Sequence, residues 1–385
     1  MAGLFEKFYL QTVTEEDTMA KKKASDNQPI RMKTEKKKAP KKKRKALAPL
    51  IVMLILLLII GGAWAIFANY YGLSNYVRDE EAAAQKPIDV EDLGLTDEEV
   101  EKMHVEAQAA LDGTELLANK DVYNILLIGV DRRDSSWNGN SDVMILMSIN
   151  YKTKKMHMMS FMRDLYADIP GHGVMKLNAA CAIGGAPLLI ETIEANYKVK
   201  INNYASVDFA SMAKIIDAVG GIELTMSEAE VNSANGMVQM MCQEQNEDAS
   251  AHMIAGPGTF HCDGYQAVAY ARIRSVGNSD FQRTERQRTV LTQIMGKLRE
   301  MSFTKLNSFV RTVLPYVTHN IESGEMLGLV TKVPIVLTSY ELGRSRVPYD
   351  DMFTIQKEIL FPNMTETLHR IQATITAEEL MEWEE

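Results

Sequence analysis

One stretch of the chain limits its fold more than any other, because residues 46–77 contain no charged side chain. Its apolar part, Ala46–Ala68, consists mostly of Leu, Ile, Ala and Val. As a helix this part would be roughly 34 Å long, enough to cross a hydrocarbon layer of about 30 Å. A charge near its centre would cost roughly 3 kcal/mol. The run therefore predicts a single membrane-spanning helix.

The flanking charges predict the orientation of this helix. Lys41–Lys45 precedes it directly, and Asp79–Glu81 follows it. Because cytoplasmic flanks are enriched in Lys and Arg, we expect residues 1–45 to be a disordered cytoplasmic arm and the chain after Asn69 to be extracellular. Ala63–Ala65 (AWA) resembles a signal-peptide cleavage site, so a processed N-terminus is the alternative to an uncleaved anchor.

The charge balance differs between the arm and the rest of the chain. Residues 1–45 contain 14 Lys/Arg and 6 Asp/Glu, a net charge of +8, whereas the other 340 residues contain 28 basic and 45 acidic groups, a net charge of −17. An acidic body outside the cell and a short arm argue against a nucleic-acid partner. We expect residues 69–120 to form an acidic juxtamembrane spacer with one or two helices, and residues 121–385 to form the folded domain.

Hydrophobic patterns in the folded part predict strands that alternate with helices, which is typical of an α/β layered sheet. Val122–Val130 is a continuous apolar run, as expected of a strand buried on both faces. Asp142–Asn150 and Lys155–Met162 predict an antiparallel hairpin. The other predicted elements are helices at Ala186–Tyr197, Phe209–Val219, Gly264–Tyr270 and Phe281–Met301, strands at Tyr204–Val207 and Ile222–Met226, an edge strand at Val333–Leu337, and an irregular segment at 227–262.

Charged residues stand at the ends of the predicted strands, where open α/β sheets bind ligands. Asp131 follows the first strand, Asp142 begins the second, and Arg163 follows the third. Asp131 and Asp142 could supply oxygen ligands to Mg²⁺. The alternative is that these acids only cap turns.

The densest charged feature is ARIR (271–274) followed by DFQRTERQR (280–288). Arg272 and Arg274 alternate, so they would point to one side of an extended segment. Arginine suits bidentate binding of phosphate oxygens, and together with the acids above this block predicts a diphosphate site. A solvated arginine-rich helix face is the alternative. Within the block, Arg283 and Gln287 would share one helix face.

Cysteine usage is low, with 3 in the chain. Cys181 lies among small residues and is expected to be a buried apolar filler. Cys242 and Cys262 lie in one segment on the predicted oxidising side, so a disulfide between them is a hypothesis. Phosphate-loop, zinc-protease, nucleophile-elbow and C-x-x-C motifs are absent from the sequence, which argues against those classes of enzyme.

Several segments, in this order, resemble the LytR-CpsA-Psr family of bacterial envelope proteins over about residues 123–298, with 299–385 as a C-terminal extension. These are NILLIGVDRR (124–133), SDVMILMSIN (141–150), SFMRDLYADIPGHGVMKLNAA (160–180), VDFASMAKIIDAVGGIEL (207–224) and YARIR with SDFQRTERQR (270–288). The resemblance implies a central mixed β-sheet flanked by helices on both faces, preceded by the single anchor.

The resemblance also implies roles for individual residues. Asp131 and Asp142 correspond to acids associated with Mg²⁺ (or Mn²⁺), and Asp131 is our candidate base. A diphosphate clamp corresponds to Arg163, Arg272 and Arg274, and further site positions correspond to Asp280, Arg283 and Gln287. The family often has Arg where this chain has Asn140. Arg132 or Arg133 could replace that phosphate contact.

The implied activity is that of a phosphotransferase, which moves a glycopolymer such as teichoic acid or capsule from a polyprenyl-diphosphate carrier to peptidoglycan. The expected partners are this lipid-linked glycan, the peptidoglycan acceptor and membrane lipid. Two alternatives are a polyprenyl-diphosphate hydrolase, which differs in using water as the attacking group, and a non-catalytic envelope regulator.

Overall fold

The structure is a computed structural model that describes residues 68, 71–88, 90, 93–131, 138–278 and 280–376. The predicted arm and almost all of the predicted span, 46–68, lie outside the described residues, as does Arg132. Within the described ranges, no helix combines the length and the apolar character needed to cross a membrane.

Strands and helices alternate along most of the described chain. The strands are β1 (Asn75–Tyr76), β2 (Val122–Asp131), β3 (Asn140–Asn150), β4 (Lys155–Phe161), β5 (Tyr166–Ile169), β6 (Gly173–Lys176), β7 (Asn203–Asp208), β8 (Ile222–Met226), β9 (Gly258–Cys262), β10 (Thr318–His319), β11 (Glu341–Val347), β12 (Phe353–Gln356) and β13 (Ile359–Pro362). The helices are α1 (Asp79–Ala83), α2 (Asp97–Leu111), α3 (Leu177–Tyr197), α4 (Phe209–Ala218), α5 (Glu228–Gln245), α6 (Gly264–Arg272), α7 (Asp280–Glu300), α8 (Phe303–Val313), α9 (Ser323–Ser339) and α10 (Met364–Thr376).

A mixed sheet lies at the centre of the fold. In the described residues it has seven strands, in the order β1-β10-β7-β2-β3-β4-β11. β2 is parallel to β7 and antiparallel to β3, and β3 and β4 form the hairpin predicted from the sequence. The antiparallel register of β2 and β3 places Asp131 opposite Asn140. The predicted acids Asp131 and Asp142 therefore lie at the same end of these two strands.

Helices cover both faces of this sheet. Side chains alternate between the faces along each strand, so a strand contributes to a core on each face. On one face Leu126 and Ile128 pack into a core that includes Leu189 of α3 and Ile371 of α10. On the other face the core includes Met147 of β3, with residues of α7 and α9. The prediction of a central mixed sheet flanked by helices is therefore confirmed.

A second apolar core joins α4, α5, α6 and α7 to the antiparallel pair of β8 and β9. The prediction that 227–262 is irregular was wrong, since α5 occupies half of that segment and β9 forms its end. Ser227 and Glu230 form a capping box at its start. Val231, Ala234 and Val238 then recur at helical spacing and are buried.

The predicted edge strand Val333–Leu337 was also wrong, because this segment lies inside α9. Its run of branched aliphatic residues is typical of a strand, but Val336 and Leu337 pack as one face of a helix against the sheet. The edge strand is β11, which begins two residues after α9 ends and pairs in parallel with β4.

The segment predicted as a spacer contains α1 and α2, and α2 contributes to the main core. Met103 and Ala107 of α2 are fully buried in it. Cys181 is buried there as well, as predicted for an apolar filler.

The hypothetical disulfide is absent from the structure. All three cysteines lie in the described residues and are buried, and Cys242 and Cys262 form no disulfide with each other. Cys242 and Cys262 pack in the second apolar core, where burial raises the pKa of Cys262 to about 12. The predicted disulfide between Cys242 and Cys262 was therefore wrong. Both thiols are instead buried as apolar side chains of the second core.

Candidate functional site

Most of the predicted site residues line one cavity of about 130 Å³ at the end of β2. The cavity is lined by Asp131, Asp142, Phe209, Met237, Met240, Arg272, Arg274, Arg283 and Gln287. Its residues come from the ends of β2 and β3, the first residue of α4, the middle of α5, the end of α6 and the first turns of α7. We refer to it as the polar cavity.

The two arginines of the ARIR segment reach the polar cavity from a helix end. Arg272 is the last residue of α6, and Ile273 is extended and fully buried. Arg274 follows after this buried residue, so both arginines lie on the cavity side. Ile273 has the extended conformation expected from the sequence, but Arg272 is still helical, so the segment as a whole is not extended.

Two carboxylates hold several arginines together beside this cavity. Asp142 Oδ2 lies 3.0 Å from Arg274 Nη2, and its Oδ1 lies 3.5 Å from Arg163 Nη1. Asp280 Oδ2 lies 3.1 Å from Arg163 Nε, and its Oδ1 lies 3.3 Å from Arg283 Nη2. Asp142 and Asp280 therefore position three arginines from different parts of the chain: Arg163 after β4, Arg274 after α6 and Arg283 within α7.

Asp164 belongs to the same ionic cluster but is not among the site residues predicted from the sequence. Its Oδ2 lies 3.2 Å from Arg163 Nε. Burial and a hydrogen bond with Asp280 raise the pKa of Asp164 to about 6. Burial also opposes ionisation of Asp280, but the hydrogen bond from Asp164 and the charge of Arg283 outweigh it and lower the pKa of Asp280. The position of Asp164 directly after Arg163 was the available signal.

Arg163 is held in its charged form by this arrangement. Burial alone would lower the pKa of its guanidinium, but the carboxylates of Asp164, Asp280 and Asp142 outweigh burial and raise it. Arg163 does not line the polar cavity, and it adjoins the cavity through its ion pair with Asp142.

Arg272 is positioned differently, by an aromatic ring. Its guanidinium carbon lies 4.0 Å from the centroid of the Phe209 ring, the distance of a cation–π contact. Because an aromatic face does not use the in-plane N–H donors, this contact fixes the guanidinium while leaving its donors available to a ligand.

Arg283 is almost fully buried, yet its Nε and Nη1 make no hydrogen bond to any described residue. Burial lowers the pKa of Arg283 to about 10. Unsatisfied buried donors are costly. An anion in the polar cavity would satisfy them.

An apolar cavity of about 230 Å³ lies next to the polar one, between the sheet and helices α4, α6 and α7. It is lined by Leu127, Ile128, Gly129, Val143, Ile145, Ala205, Val207, Asp208, Phe209, Met212, Val268, Ala271, Gln287, Val290, Leu291, Ile294 and Val317. Phe209 and Gln287 line both cavities. The site therefore combines an arginine-lined end with an apolar chamber.

The predicted metal ligands both line the polar cavity, but they differ in their surroundings. Asp131 is exposed and has no ion-pair partner among the described residues, whereas Asp142 contacts three arginines. In the described ranges no group of three or more His, Cys, Asp or Glu side chains is arranged to hold a metal ion.

Comparison with known proteins gives three findings. Biofilm regulatory protein A of Streptococcus mutans is 34% identical over 223 residues, which cover 54% of this chain and 52% of that protein. TagU of Oceanobacillus iheyensis, named a polyisoprenyl-teichoic acid–peptidoglycan teichoic acid transferase, is 33% identical over 60% of this chain and 67% of its own length. The crystal structure of protein gbs0355 from Streptococcus agalactiae has 26% identity and a TM-score of 0.54, and the match covers 67% of this chain and 88% of that one.

The chain spans about half the length of the first relative and two thirds of the second. The sequence model of the LytR_cpsA_psr family matches residues 89–374, which is most of the chain and includes every described residue of the site. This chain therefore belongs to the LytR_cpsA_psr family.

Proposed function

We propose that this protein is a phosphotransferase that moves a glycopolymer from a polyprenyl-diphosphate carrier to peptidoglycan on the outer face of the membrane. The observation that carries the proposal is the junction of the two cavities at Phe209 and Gln287. A polyprenyl diphosphate has a charged diphosphate joined to a long apolar chain. The arginine-lined cavity suits the first part, and the apolar cavity suits the second.

In this proposal Arg272, Arg274 and Arg283 bind the diphosphate oxygens, and Arg163 adds positive charge through its position beside Asp142. Bidentate guanidinium groups match phosphate oxygens better than lysine does. Ion pairs with Asp142 and Asp280 hold Arg163, Arg274 and Arg283 in place before the substrate binds. Such preorganised charges stabilise the negative charge that moves to the leaving phosphate.

Asp131 would act as the general base. It is exposed at the cavity, where an acceptor hydroxyl can reach it. It would take the proton of that hydroxyl as the new bond forms between the acceptor oxygen and the phosphorus next to the sugar. The bond between that phosphorus and the bridging oxygen breaks, and polyprenyl phosphate leaves.

Asp131 and Asp142 would also hold Mg²⁺, or Mn²⁺, which accepts the same oxygen ligands. Two carboxylates in one cavity fit Mg²⁺, because this ion commonly binds one or two carboxylates and completes its shell with water and substrate phosphates. When bound, the ion would neutralise charge on the phosphate oxygens. Activity should fall when the metal is chelated and return when Mg²⁺ is added.

The proposed location follows from the sequence, with the span 46–68 as an anchor and residues 1–45 in the cytoplasm. A domain tethered to the membrane meets a lipid-linked donor at high effective concentration. The name of the Oceanobacillus relative makes teichoic acid the first donor polymer to test.

The experiment uses the purified full chain with a lipid-diphosphate glycan, peptidoglycan fragments and Mg²⁺. We expect Arg272→Ala and Arg274→Ala each to lower turnover by a factor on the order of 10². Arg299→Ala removes an exposed arginine whose hydrogen bond goes to the Tyr340 carbonyl, and it serves as the control. Unchanged turnover in the two site variants would contradict the clamp.

The same reaction distinguishes the alternatives. Glycan phosphate attached to peptidoglycan supports transfer, whereas free glycan phosphate indicates a hydrolase. Binding of the donor without any product indicates a regulator.

The apolar cavity provides a second test. Ala205 lines it from β7, and Ala205→Phe would fill part of its volume. We expect this variant to lose activity with long-chain donors and to keep more of it with donors that have one or two isoprene units. Ala109→Phe, on the exposed side of α2, is the control. Equal loss with all donors would contradict a chamber for the lipid chain.

A further inference from the structure

Helix α9 exposes an unusual set of side chains for a helix on a protein surface. Leu327 is 48% exposed, Val333 40% and Ile335 59%. Around the helix, Leu327 and Ile335 lie within the same outward sector as Gly324, Gly328 and Thr338. This sector carries no charge.

The two charged side chains of α9 are directed to the protein instead. Lys332 Nζ lies 4.5 Å from the centroid of the Tyr151 ring. Glu325 faces the hydroxyl of Tyr123 and the side-chain amide of Asn203. Both residues are exposed overall, but their charged groups contact the protein outside the sector of Leu327 and Ile335.

The start of α9 is tied to the point where the predicted anchor ends. The Tyr71 hydroxyl donates a hydrogen bond of 3.3 Å to the carbonyl of Ile321, two residues before α9. β1 pairs in parallel with β10, which also precedes α9. Tyr71 comes three residues after Ala68, the last residue of the predicted span, and three residues reach at most about 11 Å.

The wall of the apolar cavity includes the same part of the chain. Val317 lines it and is followed directly by β10. The end of the predicted anchor, a wall of the apolar cavity and the start of α9 are thus linked through a few residues.

Charge in this region also suits a lipid surface. Residues 297–339 contain 5 Lys/Arg and 3 Asp/Glu, a net charge of +2 within a body whose net charge is −17. Among the basic residues, Lys305 and Arg311 are exposed on α8, the helix before β10.

We propose that α9 lies on the outer surface of an anionic phospholipid bilayer, with Leu327 and Ile335 inserted at the boundary between headgroups and acyl chains. A bilayer is the occupant that the anchor brings within reach. The contact would hold the apolar cavity at the membrane, so that a carrier lipid enters without crossing water. This last consequence rests on the proposed activity, whereas the contact itself rests only on the proposed anchor and its orientation.

The test places a polarity-sensitive nitrobenzoxadiazole label on the full chain in vesicles of phosphatidylglycerol and phosphatidylcholine. One variant is Ile335→Cys. The matched control is Ile355→Cys, since Ile355 is a similarly exposed isoleucine on β12, at 67% against 59% for Ile335. The chain without an added cysteine reports any labelling of the buried native thiols. Nitroxide lipids labelled near the headgroup serve as quenchers.

We expect the label at 335 to shift to shorter wavelength and to lose most of its emission with nitroxide lipid, while the label at 355 stays unchanged. No quenching at 335, or equal quenching at both positions, would overturn the proposal. The proposal would also be overturned if the emission shift in detergent depended on protein concentration and nitroxide lipid caused no quenching. In that case a second copy of the chain would cover α9. None of these readouts needs turnover, so failure of the proposed function would leave the result unaffected.

Discussion

Two arginines on the same helix, Arg283 and Arg286, are almost equally buried, at 3% and 5% exposure, but their surroundings differ. Arg286 donates to Glu230 Oε1 from Nε at 3.0 Å and from Nη2 at 2.9 Å. It also donates to the carbonyls of Ile273 and Val276. Arg283 contacts two carboxylates, but its Nε and Nη1 make no hydrogen bond within the described part of the chain.

We expect this difference to separate structural arginines from the arginines that we propose to bind the ligand, within one dense sequence block. A buried arginine whose donors are satisfied by the protein stabilises the fold, and Arg286 does so by holding the segment that carries Arg274. Arg288 is of the same kind, since it pairs with Glu285 and donates to the Ser345 carbonyl. A buried arginine with unused donors beside a cavity is prepared for an anion.

The largest effect is expected at the structural arginine. Arg286→Met should lower the free energy of unfolding by about 3–5 kcal/mol, because it leaves the Glu230 carboxylate without its partner. Denaturant unfolding measures this change. Adding Glu230→Gln should restore part of the loss. If the single variant is as stable as the parent, Arg286 is not a structural arginine and the comparison fails.

The next largest effect is expected on catalysis. Arg283→Met should lower turnover by a factor on the order of 10²–10³, because it removes preorganised positive charge from the site. Its free energy of unfolding should change less than that of Arg286→Met, since several donors of Arg283 are unused. Initial rates at saturating donor, together with denaturant unfolding, measure both quantities. A variant that is active but unstable would reverse the assignment of the two arginines.

A third prediction concerns pH and the carboxyl pair that orients Arg163. The pKa of Asp164 is about 6 in the folded protein, mainly because of burial, and about 4 in an unfolded chain. The folded state therefore holds a proton that the unfolded state has released. The stability from this group is present at low pH and is lost as the pH rises through about 6.

Asp164→Asn should remove this pH dependence. The difference in unfolding free energy between parent and variant should become less favourable to the parent from pH 4 to 7 and then stay level. The exposed carboxyl of Asp112 gives the control variant Asp112→Asn. A difference that does not vary with pH would show that Asp164 titrates normally.

The smallest effect is expected at the ring under Arg272. Phe209→Leu keeps an apolar side chain but removes the cation–π contact, worth about 1 kcal/mol, which corresponds to roughly a fivefold loss of kcat/KM. Met212→Leu, which changes another apolar-cavity residue without altering a cation–π contact, is the control. If both variants behave alike, Phe209 contributes only to the cavity wall.

Local sequence patterns were sufficient for much of the scaffold. Apolar runs predicted β2 and the hairpin of β3 and β4, and the helix predicted at Phe209–Val219 corresponds to α4. The same patterns failed at α5 and α9. The start of α5 is marked by a capping box, which the apolar pattern does not include. In α9, tertiary packing of Val336 overrode the strand preference of a branched aliphatic run.

The sequence by itself determined which residue types are available to the site: carboxylates at strand ends and an arginine-rich block that begins α7. It also determined the apolar run 46–68, because a charge-free stretch of that length is a local property. Only the tertiary structure decided which arginines face the polar cavity and that Arg286 is satisfied by Glu230. It also decided that Asp164 shares the site and that an apolar cavity adjoins it. These outcomes depend on contacts between residues far apart in the chain, such as Arg274 with Asp142, which local periodicity does not encode.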